Sequence, residues 1–338
     1  MKLIIPMAGR GSRLRPHTFT TAKPLVKIAG KSILAQLIKD VVKMIDEPVE
    51  EMAFIVGDES FFGDQIIQEL KLLAKKYNSI ATIYRQLNPL GTGHAIMCAE
   101  KSLSGKALII YPDTLIKTNE PFDKEADAVI WTKEVENPDA YGVVKLNEKG
   151  NVTALVEKPT EFVSNLAVIG LYYFKEISQL KNQLQKVIEE NLMNSGEYQI
   201  NDGLLKMMSN GKTFKVGKVS AWLDCGNVKS SINSNKEMLN FHNNDKLELI
   251  SSNIKLINSN IIEPVFIGEN VIITNSTIGP HVSIYKDTNI SNSKLVNSII
   301  GENSEILNAD IKGSMIGNNC KYNGNYKSIN IGDFSELI

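Results

Sequence analysis

The sequence opens with the stretch KLIIPMAGRGSRLRPHTFTTAKP, residues 2–24, in which an apolar run leads into a basic segment with two glycines. The residues from Leu3 to Met7 predict a buried strand. From Met1 to Lys39 the chain has eight Lys or Arg and no Asp or Glu, although the whole chain has 37 basic and 38 acidic residues. This local imbalance indicates that the segment binds a ligand with several negative charges.

Glycines after a first strand allow backbone N–H groups to approach a phosphate closely. The pattern Gly9-x-Gly11 is not a dinucleotide-binding loop, because it lacks the third glycine and Pro16 interrupts the helix that should follow. The loop also lacks the Gly-Lys-Ser/Thr ending of a Walker loop. Arg13 can bind two phosphate oxygens at once and Lys23 supplies a point charge, a pair that suits a triphosphate. A solvated basic loop is the plain alternative.

Composition limits the class of protein. At 338 residues the chain is long enough for about two domains. A net charge of -1 argues against general binding to nucleic acid or to a membrane surface. The three cysteines are far apart and give neither a disulfide framework nor metal-ligand spacing. The N-terminus has no signal-peptide pattern and no apolar run approaches ~18 residues, so we expect a cytoplasmic, globular protein.

Strand-like and helix-like segments alternate up to about residue 245. Strands are predicted at Leu3–Met7, Met52–Val56, Ile80–Tyr84 and Ala107–Tyr111, and helices at Ile33–Met44, Gln65–Tyr77 and Thr92–Ser102. This alternation predicts an α/β, Rossmann-like domain over residues 1–245 with a mixed, mostly parallel sheet. Ligands bind beyond the carboxyl ends of such strands, so we expect Gly9–Lys23, the residues after Tyr84, and Asp113 at one edge.

Residues 246–338 have a different pattern, rich in Ile and Asn. An Ile-Gly pair recurs at 267–268, 278–279, 300–301 and 316–317. Between these pairs aliphatic residues fall at steps of five or six, which neither a helix nor a simple strand explains. A hexapeptide repeat does explain them, with one aliphatic side chain per face pointing inward. We therefore predict a second domain of about four coils of roughly eighteen residues, which resembles left-handed parallel β-helices; an irregular sandwich is the alternative.

Seven motifs follow one another along residues 1–240. They are Ala8–Leu14 with Pro16 and Lys23–Leu25, Gln86 with Leu90–Ala95, Tyr111–Asp113, Tyr141–Val144, Glu157–Pro159, Asn165 with Gly170–Tyr172, and Ala221–Asp224. In this order they resemble the signature of the sugar-nucleotide pyrophosphorylases, the nucleotidyltransferases that make NDP-sugars from an NTP and a sugar 1-phosphate. In that family a sugar phosphate oxygen attacks the α-phosphorus of the NTP in line and pyrophosphate leaves.

The resemblance implies a role for each matched residue. Arg13 would neutralise the departing pyrophosphate, Lys23 the α-phosphate region, and Lys158 would hold the sugar phosphate. The nucleotide would be bound by Ala8, Gly9, Gly11, Gln86, Gly91 and Thr92. The Gln86 amide has a donor and an acceptor that can pair with the N3–H and O4 edge of uracil or thymine. The sugar would be lined by Gly142, Glu157, Asn165 and Tyr172, with Glu197 as a further candidate. Asp113 and Asp224 would share Mg²⁺.

The implied function is Mg²⁺-dependent transfer of a nucleotidyl group from dTTP or UTP to a sugar 1-phosphate, with glucose 1-phosphate as the default sugar. One alternative is a bifunctional nucleotidyltransferase and acyltransferase, for which His242 and His281 are the histidines near the β-helix. Another is a non-catalytic subunit that binds nucleotide sugars, which the presence of the expected cations and aspartates disfavours. The β-helix suggests a homo-oligomer, and neither a nucleic-acid nor a membrane partner is expected.

Overall fold

The computed structural model describes residues 1–194, 196–324 and 326–337. Its contacts divide the chain into two compact units, one of Met1–Gly9 with Leu37–Trp222 and the other of Arg10–Gln36 with Leu223–Ile338. The domain boundary after residue 245 stays a prediction. The compact units do not follow it, because residues 10–36 and 223–245 group with the C-terminal segment.

The described residues form the following elements. The α-helices are α1 (Ile33–Ile45), α2 (Asp64–Lys75), α3 (Thr92–Met97), α4 (Ser178–Glu189), α5 (Ile200–Ser209) and α6 (Val228–Asn244). The strands up to residue 224 are β1 (Lys2–Pro6), β2 (Lys27–Ile28), β3 (Lys31–Ser32), β4 (Glu51–Val56), β5 (Ile80–Arg85), β6 (Ala107–Ile110), β7 (Thr114–Lys117), β8 (Ala128–Glu134), β9 (Gly142–Leu146), β10 (Val152–Glu157), β11 (Leu166–Phe174), β12 (Phe214–Lys218) and β13 (Ala221–Asp224). Short 3₁₀ turns lie at Ser12–Leu14, His17–Phe19, Lys23–Leu25, Glu100–Ser102 and Pro138–Ala140.

The first unit is built on a nine-stranded sheet in the order β10-β9-β11-β6-β1-β4-β5, with β8 paired to β11 and β12 to β8. Strands β6, β1, β4 and β5 are parallel to one another. Ile4 of β1 is paired between Ala53 and Ile109, and all three side chains are fully buried. The carboxyl ends of these four strands therefore open at one edge of the sheet, as predicted.

Helix α3 is shorter than the predicted segment Thr92–Ser102. It ends at Met97, and a separate 3₁₀ turn covers Glu100–Ser102. Between them Ala99 has φ −98° and ψ 27°, outside the helical range, so the α-helix does not continue. The other predicted helices and strands agree with the structure to within two residues.

The C-terminal segment is a stack of short parallel strands in three sheets. The strands are β14 (Lys255–Ile257), β15 (Asn260–Ile261), β16 (Val265–Ile267), β17 (Ile272–Thr274), β18 (Thr277–Ile278), β19 (Val282–Ile284), β20 (Asn289–Ser291), β21 (Lys294–Val296), β22 (Ile299–Ile300), β23 (Glu305–Leu307), β24 (Asp310–Lys312), β25 (Met315–Ile316), β26 (Lys321–Asn323), β27 (Asn330–Ile331) and β28 (Glu336–Leu337). The sheets have the orders β14-β17-β20-β23-β26-β28, β15-β18-β21-β24 and β16-β19-β22-β25-β27. The predicted fold, an α/β domain with a mixed sheet followed by a parallel β-helix, is confirmed.

The β-helix explains the Ile and Asn content of its sequence. Ile273, Ile290 and Ile306 stack on one face and are almost completely buried. At one corner Asn275 and Asn292 have positive φ angles near 49°, which Asn tolerates better than most residues, and their side chains hydrogen-bond from coil to coil. The ladder partners are 17, 16 and then 15 residues apart. The coils are thus shorter than the expected eighteen residues, and one sheet has six strands where four coils were predicted.

No helix in the described ranges is both long enough and apolar enough to cross a lipid bilayer.

The inward-facing aliphatic residues should dominate the stability of the β-helix. Leu295→Ala removes a fully buried side chain from β21, and we expect it to lower the free energy of unfolding by about 2–5 kcal/mol. Leu256→Ala is the matched control, because Leu256 lies in β14 with 45% of its surface exposed. Denaturant unfolding of both variants tests the packing. Equal losses would contradict the assignment of inner and outer positions.

Candidate active site

Several of the predicted site residues follow the carboxyl ends of the parallel strands in the first unit. Gln86 comes directly after β5, and its backbone N–H donates to the Val56 carbonyl at 2.8 Å. Ala8 and Gly9 follow β1, and no atom lies within 4 Å of where a Cβ on Gly9 would be. Asp113 follows β6 and is half-buried. Sheet topology therefore places Gly9, Gln86 and Asp113 at one edge. The rest of the predicted loop, residues 10–23, groups with the second unit.

Gly91 lies in a tight loop that is joined to residues 198–200. Its φ is +110°, and a Cβ there would lie 2.5 Å from the Tyr198 carbonyl oxygen, so only glycine fits without displacement. The backbone N–H of Tyr198 donates to Leu90 at 2.8 Å. Thr92 donates to the Gln199 side chain and accepts from the Ile200 N–H, both at 3.0 Å. These contacts fix the loop before any ligand binds.

The side chain of Gln86 is held by two acceptors. Its Nε2 donates to the Gly91 carbonyl and to His94 Nδ1, each at 3.1 Å. His94 Nδ1 must therefore be unprotonated, which puts the ring proton on Nε2. Burial lowers the pKa of His94 and so favours this neutral form. Both amide protons of Gln86 are engaged, which leaves Oε1 as the amide atom that can accept a further hydrogen bond.

A second group of predicted residues lies where β9 pairs with β10. Gly142 is paired with Glu157, and a Cβ on Gly142 would lie 2.8 Å from Glu157 Oε2. The same Oε2 accepts from Asn201 Nδ2 at 3.2 Å. Lys158 is exposed, with φ +46°, and its backbone N–H donates to the Tyr141 carbonyl at 3.0 Å. The glycine thus leaves room for the carboxylate, which a larger side chain would displace.

Two tyrosines lie near this group. The rings of Tyr111 and Tyr172 meet edge to face with centroids 6.2 Å apart. Burial, and then the negative charge of Glu157, raises the pKa of Tyr172 well above its usual value. Burial is also the main cause that raises the pKa of Tyr111, with Asp113 as a smaller one. Both hydroxyls therefore stay protonated at neutral pH. Asn165 is exposed at the start of β11, where its carbonyl accepts from Val135 at 3.0 Å.

Glu197, the further sugar-site candidate, lies in the first unit, where its Oε2 accepts from Gln199 Nε2 at 2.9 Å. Gly11, Arg13, Lys23 and Asp224 belong to the second unit. Gly11 has φ +61°, and a Cβ there would lie 2.8 Å from the Cβ of Lys23. The Gly11 carbonyl accepts from the Thr18 hydroxyl at 2.8 Å and from the Leu14 N–H at 2.9 Å. Lys23 is buried, with 8% of its surface exposed, whereas Arg13 is exposed. Close packing of the two chain segments at Gly11 therefore fixes the base of the lysine side chain.

Asp224 ends β13 in the second unit. Its Oδ1 accepts from the Gly226 N–H at 2.9 Å, and its carbonyl accepts from the Ser234 hydroxyl of α6 at 2.7 Å. Across the described ranges no three His, Cys, Asp or Glu side chains are grouped so as to hold a metal ion. A cation that binds through only one or two carboxylates would therefore need phosphate or water oxygens as its other ligands.

The structure brings predicted site residues together in three groups. The first is Gln86, Gly91 and Thr92, the second is Gly142, Glu157 and Tyr172, and the third is Gly11 and Lys23. Sequence reasoning assigned no role to His94 and did not find Asn201. His94 lies within a motif that the sequence analysis singled out. Asn201 is 44 residues from Glu157, and no local pattern indicates their contact.

The sequence is similar to known proteins. The profile of the nucleotidyl transferase family matches residues 2–240. A glucose-1-phosphate thymidylyltransferase from Streptomyces antibioticus is 28% identical over 94% of this chain and 92% of its own length. A bifunctional protein GlmU from Methanococcus maripaludis is 30% identical over 98% of this chain and 81% of its own length. A low-salt glycan biosynthesis nucleotidyltransferase, Agl11, from Haloferax volcanii is 31% identical over 71% of this chain and 66% of its own length.

From the contact between Gln86 and His94 we predict that stability and nucleotide affinity depend on pH. His94 has a lowered pKa in the folded state, so the stabilisation from its neutral form is complete above the unfolded value of 6.5. It is lost as the pH falls from 6.5 through the folded pKa. Protonation of Nδ1 also removes an acceptor from Gln86, so nucleotide affinity should fall in the same range.

His94→Asn is the matched variant, because an amide oxygen can replace Nδ1 as acceptor without titrating. Nucleotide affinity and thermal stability, measured from pH 7.5 to 5, should fall more for the wild type than for the variant. Parallel profiles would show that the other histidines cause the change.

Proposed function

Because the chain belongs to the nucleotidyl transferase family, we propose that it transfers a nucleotidyl group from dTTP or UTP to a sugar 1-phosphate and releases pyrophosphate. Family membership confirms the class of enzyme that the sequence predicted. The choice of uracil or thymine over cytosine is supported by Gln86, whose Oε1 is the open atom of its amide. An acceptor there pairs with the N3–H of uracil or thymine and repels the unprotonated N3 of cytosine.

The reaction needs no nucleophilic side chain. An oxygen of the sugar phosphate attacks the α-phosphorus, a new P–O bond forms, and the bond from the α-phosphorus to the bridging oxygen breaks so that pyrophosphate leaves. Both reactants are anions, so the protein must neutralise charge and hold the attacking oxygen in line. We assign Arg13 to the pyrophosphate, Lys23 to the α-phosphate and Lys158 to the sugar phosphate. The exposure of Arg13 and Lys158 supports these roles, because their charged ends can reach a ligand.

The nucleotide is held by backbone as well as by side chains in this proposal. Ala8, Gly9 and Gly11 present backbone N–H groups to the phosphates, as glycine-rich turns after a first strand do. The open space beside Gly9 supports a close approach. Gly91 and Thr92 keep Gln86 in place through the contacts described above. Preorganised donors of this kind stabilise charge without the cost of reorganising during the reaction.

Asp113 and Asp224 are the proposed ligands of Mg²⁺. Carboxylates are hard oxygen donors that this cation prefers, and Mg²⁺ is usually bound by one or two of them together with substrate phosphates. When bound, the cation would neutralise phosphate charge. Asp224 is oriented for this role by the hydrogen bond from Gly226 and by the link to α6.

The proposed sugar ligand is glucose 1-phosphate. Glu157 would accept hydrogen bonds from sugar hydroxyls, and the buried, protonated Tyr172 lies close enough for that carboxylate to affect its pKa. Gly142 and Asn165 complete the proposed pocket. The name of the Streptomyces antibioticus relative supports both glucose 1-phosphate and a thymidylyl donor. A homo-oligomeric state and a cytoplasmic location stay predictions.

A second activity in the β-helix is the other candidate. The Methanococcus maripaludis relative is named as bifunctional, which favours it. Against it, His281 is hydrogen-bonded through Nε2 to Asn240 at 2.9 Å, and His242 is buried. The two histidines that could serve acyl transfer are thus engaged in hydrogen bonding or in packing within the fold. We therefore rank the bifunctional enzyme second, and the non-catalytic subunit third.

The proposal is tested by pyrophosphate release in the presence of Mg²⁺, with UTP, dTTP, CTP, GTP and ATP each combined with glucose 1-phosphate or N-acetylglucosamine 1-phosphate. We expect release with dTTP or UTP that requires a sugar phosphate and is absent with CTP. Asp113→Ala should reduce it at least a hundredfold, the scale of losing one charge-stabilising group. Asp310→Ala, which removes an exposed carboxylate from β24, should leave it unchanged. If the wild type released no pyrophosphate with any pair of substrates, the proposed enzymatic function would be refuted.

Glu157 should act on the sugar and not on the nucleotide. Glu157→Gln keeps the size of the side chain but removes its charge and one acceptor, and we expect the KM for the sugar 1-phosphate to rise roughly tenfold. The KM for the NTP should stay constant. Glu148→Gln, an exposed position in the loop between β9 and β10, is the control. A rise in the NTP KM instead would place Glu157 outside the sugar pocket.

A further inference from the structure

Side chains near the N-terminus hydrogen-bond to a coil of the β-helix that lies more than 300 residues later in the chain. His17 Nε2 lies 2.7 Å from Asn330 Oδ1, and the Thr20 hydroxyl donates to Asp333 Oδ2 at 2.6 Å. His17 is buried, whereas Thr20 is exposed. All four residues belong to the second unit. We name this set of two hydrogen bonds the terminal clasp.

Backbone packing supports the terminal clasp. A Cβ on Gly332, between Asn330 and Asp333, would lie 2.9 Å from the Cβ of Pro16, so the two chain segments are in close contact. Asp333 is itself fixed to the preceding coil, because its Oδ1 accepts from the backbone N–H of Asn318 at 2.6 Å. The carboxylate that holds Thr20 is thus positioned by the β-helix and not by the N-terminal segment.

The same N-terminal segment is attached to the β-helix again farther along. Lys27 forms an ion pair with Glu302. The backbone N–H of Ala29 donates to Asn235 Oδ1 at 2.9 Å, and the hydroxyl of Ser283 donates to the same oxygen at 2.7 Å. Asn235 is completely buried in α6, so its amide joins the N-terminal segment, the helix and the β-helix. Attachment on both sides of Lys23 limits how far this part of the chain can move.

We propose that Asn330 and Asp333 are positioning residues for nucleotidyl transfer: through His17 and Thr20 they hold the segment that carries Arg13 and Lys23 in the shape that binds the phosphates of the NTP. This inference rests on the proposed function. Ordering a backbone segment costs conformational entropy, and residues 12–25 form only short 3₁₀ turns. Contacts that order this segment in advance spare the nucleotide that cost.

The effect should fall on the nucleotide and not on the sugar. Thr20→Val keeps the shape of the side chain and removes the donor to Asp333, and Asn330→Ala removes the acceptor for His17. For each we expect kcat/KM for the NTP to fall roughly tenfold, the scale of one lost hydrogen bond to a charged or buried partner. The KM for the sugar 1-phosphate should stay within twofold. Thr20→Ser, which restores a hydroxyl, should recover most of the loss.

Asn308→Ala is the matched control. The side chain of Asn308 also forms a hydrogen bond within the β-helix, to Asn323 at 2.9 Å. This bond joins one coil to the next in the asparagine ladder and is not part of the terminal clasp. We expect wild-type kinetics from it. A loss as large as that of Asn330→Ala would show that any weakening of the β-helix slows the enzyme, and would overturn the positioning role.

Hydrogen–deuterium exchange of peptides covering residues 10–25 provides a readout that does not need activity. In Thr20→Val these amides should exchange faster than in the wild type and in Thr20→Ser, without a change at the β5 strand. Unchanged exchange would overturn the inference even if the enzyme is active. An inactive wild type whose exchange responds as expected would refute the proposed reaction and leave the clasp supported.

Discussion

The constraint on which the catalytic region depends is the burial of β1 on both sides. Its residues pair in parallel with β4 and with β6, and Leu3, Ile4 and Ile5 are completely buried. A strand with two parallel neighbours has no freedom in register, since a shift by one residue would turn its side chains to the opposite face. The chain must therefore leave the sheet at a fixed point, directly before Ala8 and Gly9. The position of the turn proposed to bind phosphate follows from the packing of a strand that carries no proposed site residue itself.

Much of the fold could be predicted from the sequence, because the causes of its elements are local. The apolar run of β1, the helical spacing of α1 and the steps of the β-helix are all visible within short windows of sequence. Gly91 and Gly142 stand in motifs, and the structure gives their physical reason: Tyr198 lies against one and Glu157 against the other. The end of α3 was predicted wrongly, because the backbone of Ala99 departs from the helix at a residue with good helical propensity. The coils came out shorter than predicted for a related reason, since a hexapeptide period sets the spacing of inward residues but not the length of each corner.

The contacts that could not be predicted are those between distant parts of the chain. Thr92 and Gln199 are 107 residues apart, and both bonds of the terminal clasp join residues 313 apart. No periodicity links such positions, and each side chain alone reads as an ordinary surface polar group. The division into units has the same origin. Residues 10–36 are adjacent in sequence to β1 but group with α6 and the β-helix, to which they also hydrogen-bond. A boundary drawn from composition falls where the amino-acid usage changes, and composition carries no information on which early segment a later one packs against.

The choice of base illustrates how satisfied hydrogen bonds limit a function. From the sequence, Gln86 offers a donor and an acceptor to the base, and a two-point contact is the natural expectation. In the structure its Nε2 already serves the Gly91 carbonyl and His94. Turning the N–H that faces His94 to O4 of the base would leave a half-buried Nδ1 without a donor, at a cost of about 1–3 kcal/mol. That cost is similar to what the new hydrogen bond would contribute, so this exchange yields little net affinity. The Gly91 carbonyl, by contrast, also accepts from the Ala95 N–H at 3.0 Å and keeps that bond. On the proposed function, Oε1 of Gln86 would accept from N3–H of the base, which separates uracil and thymine from cytosine. Because uracil and thymine share that atom, the preference between UTP and dTTP has to arise from contacts to the ribose and to the 5-position, away from this amide.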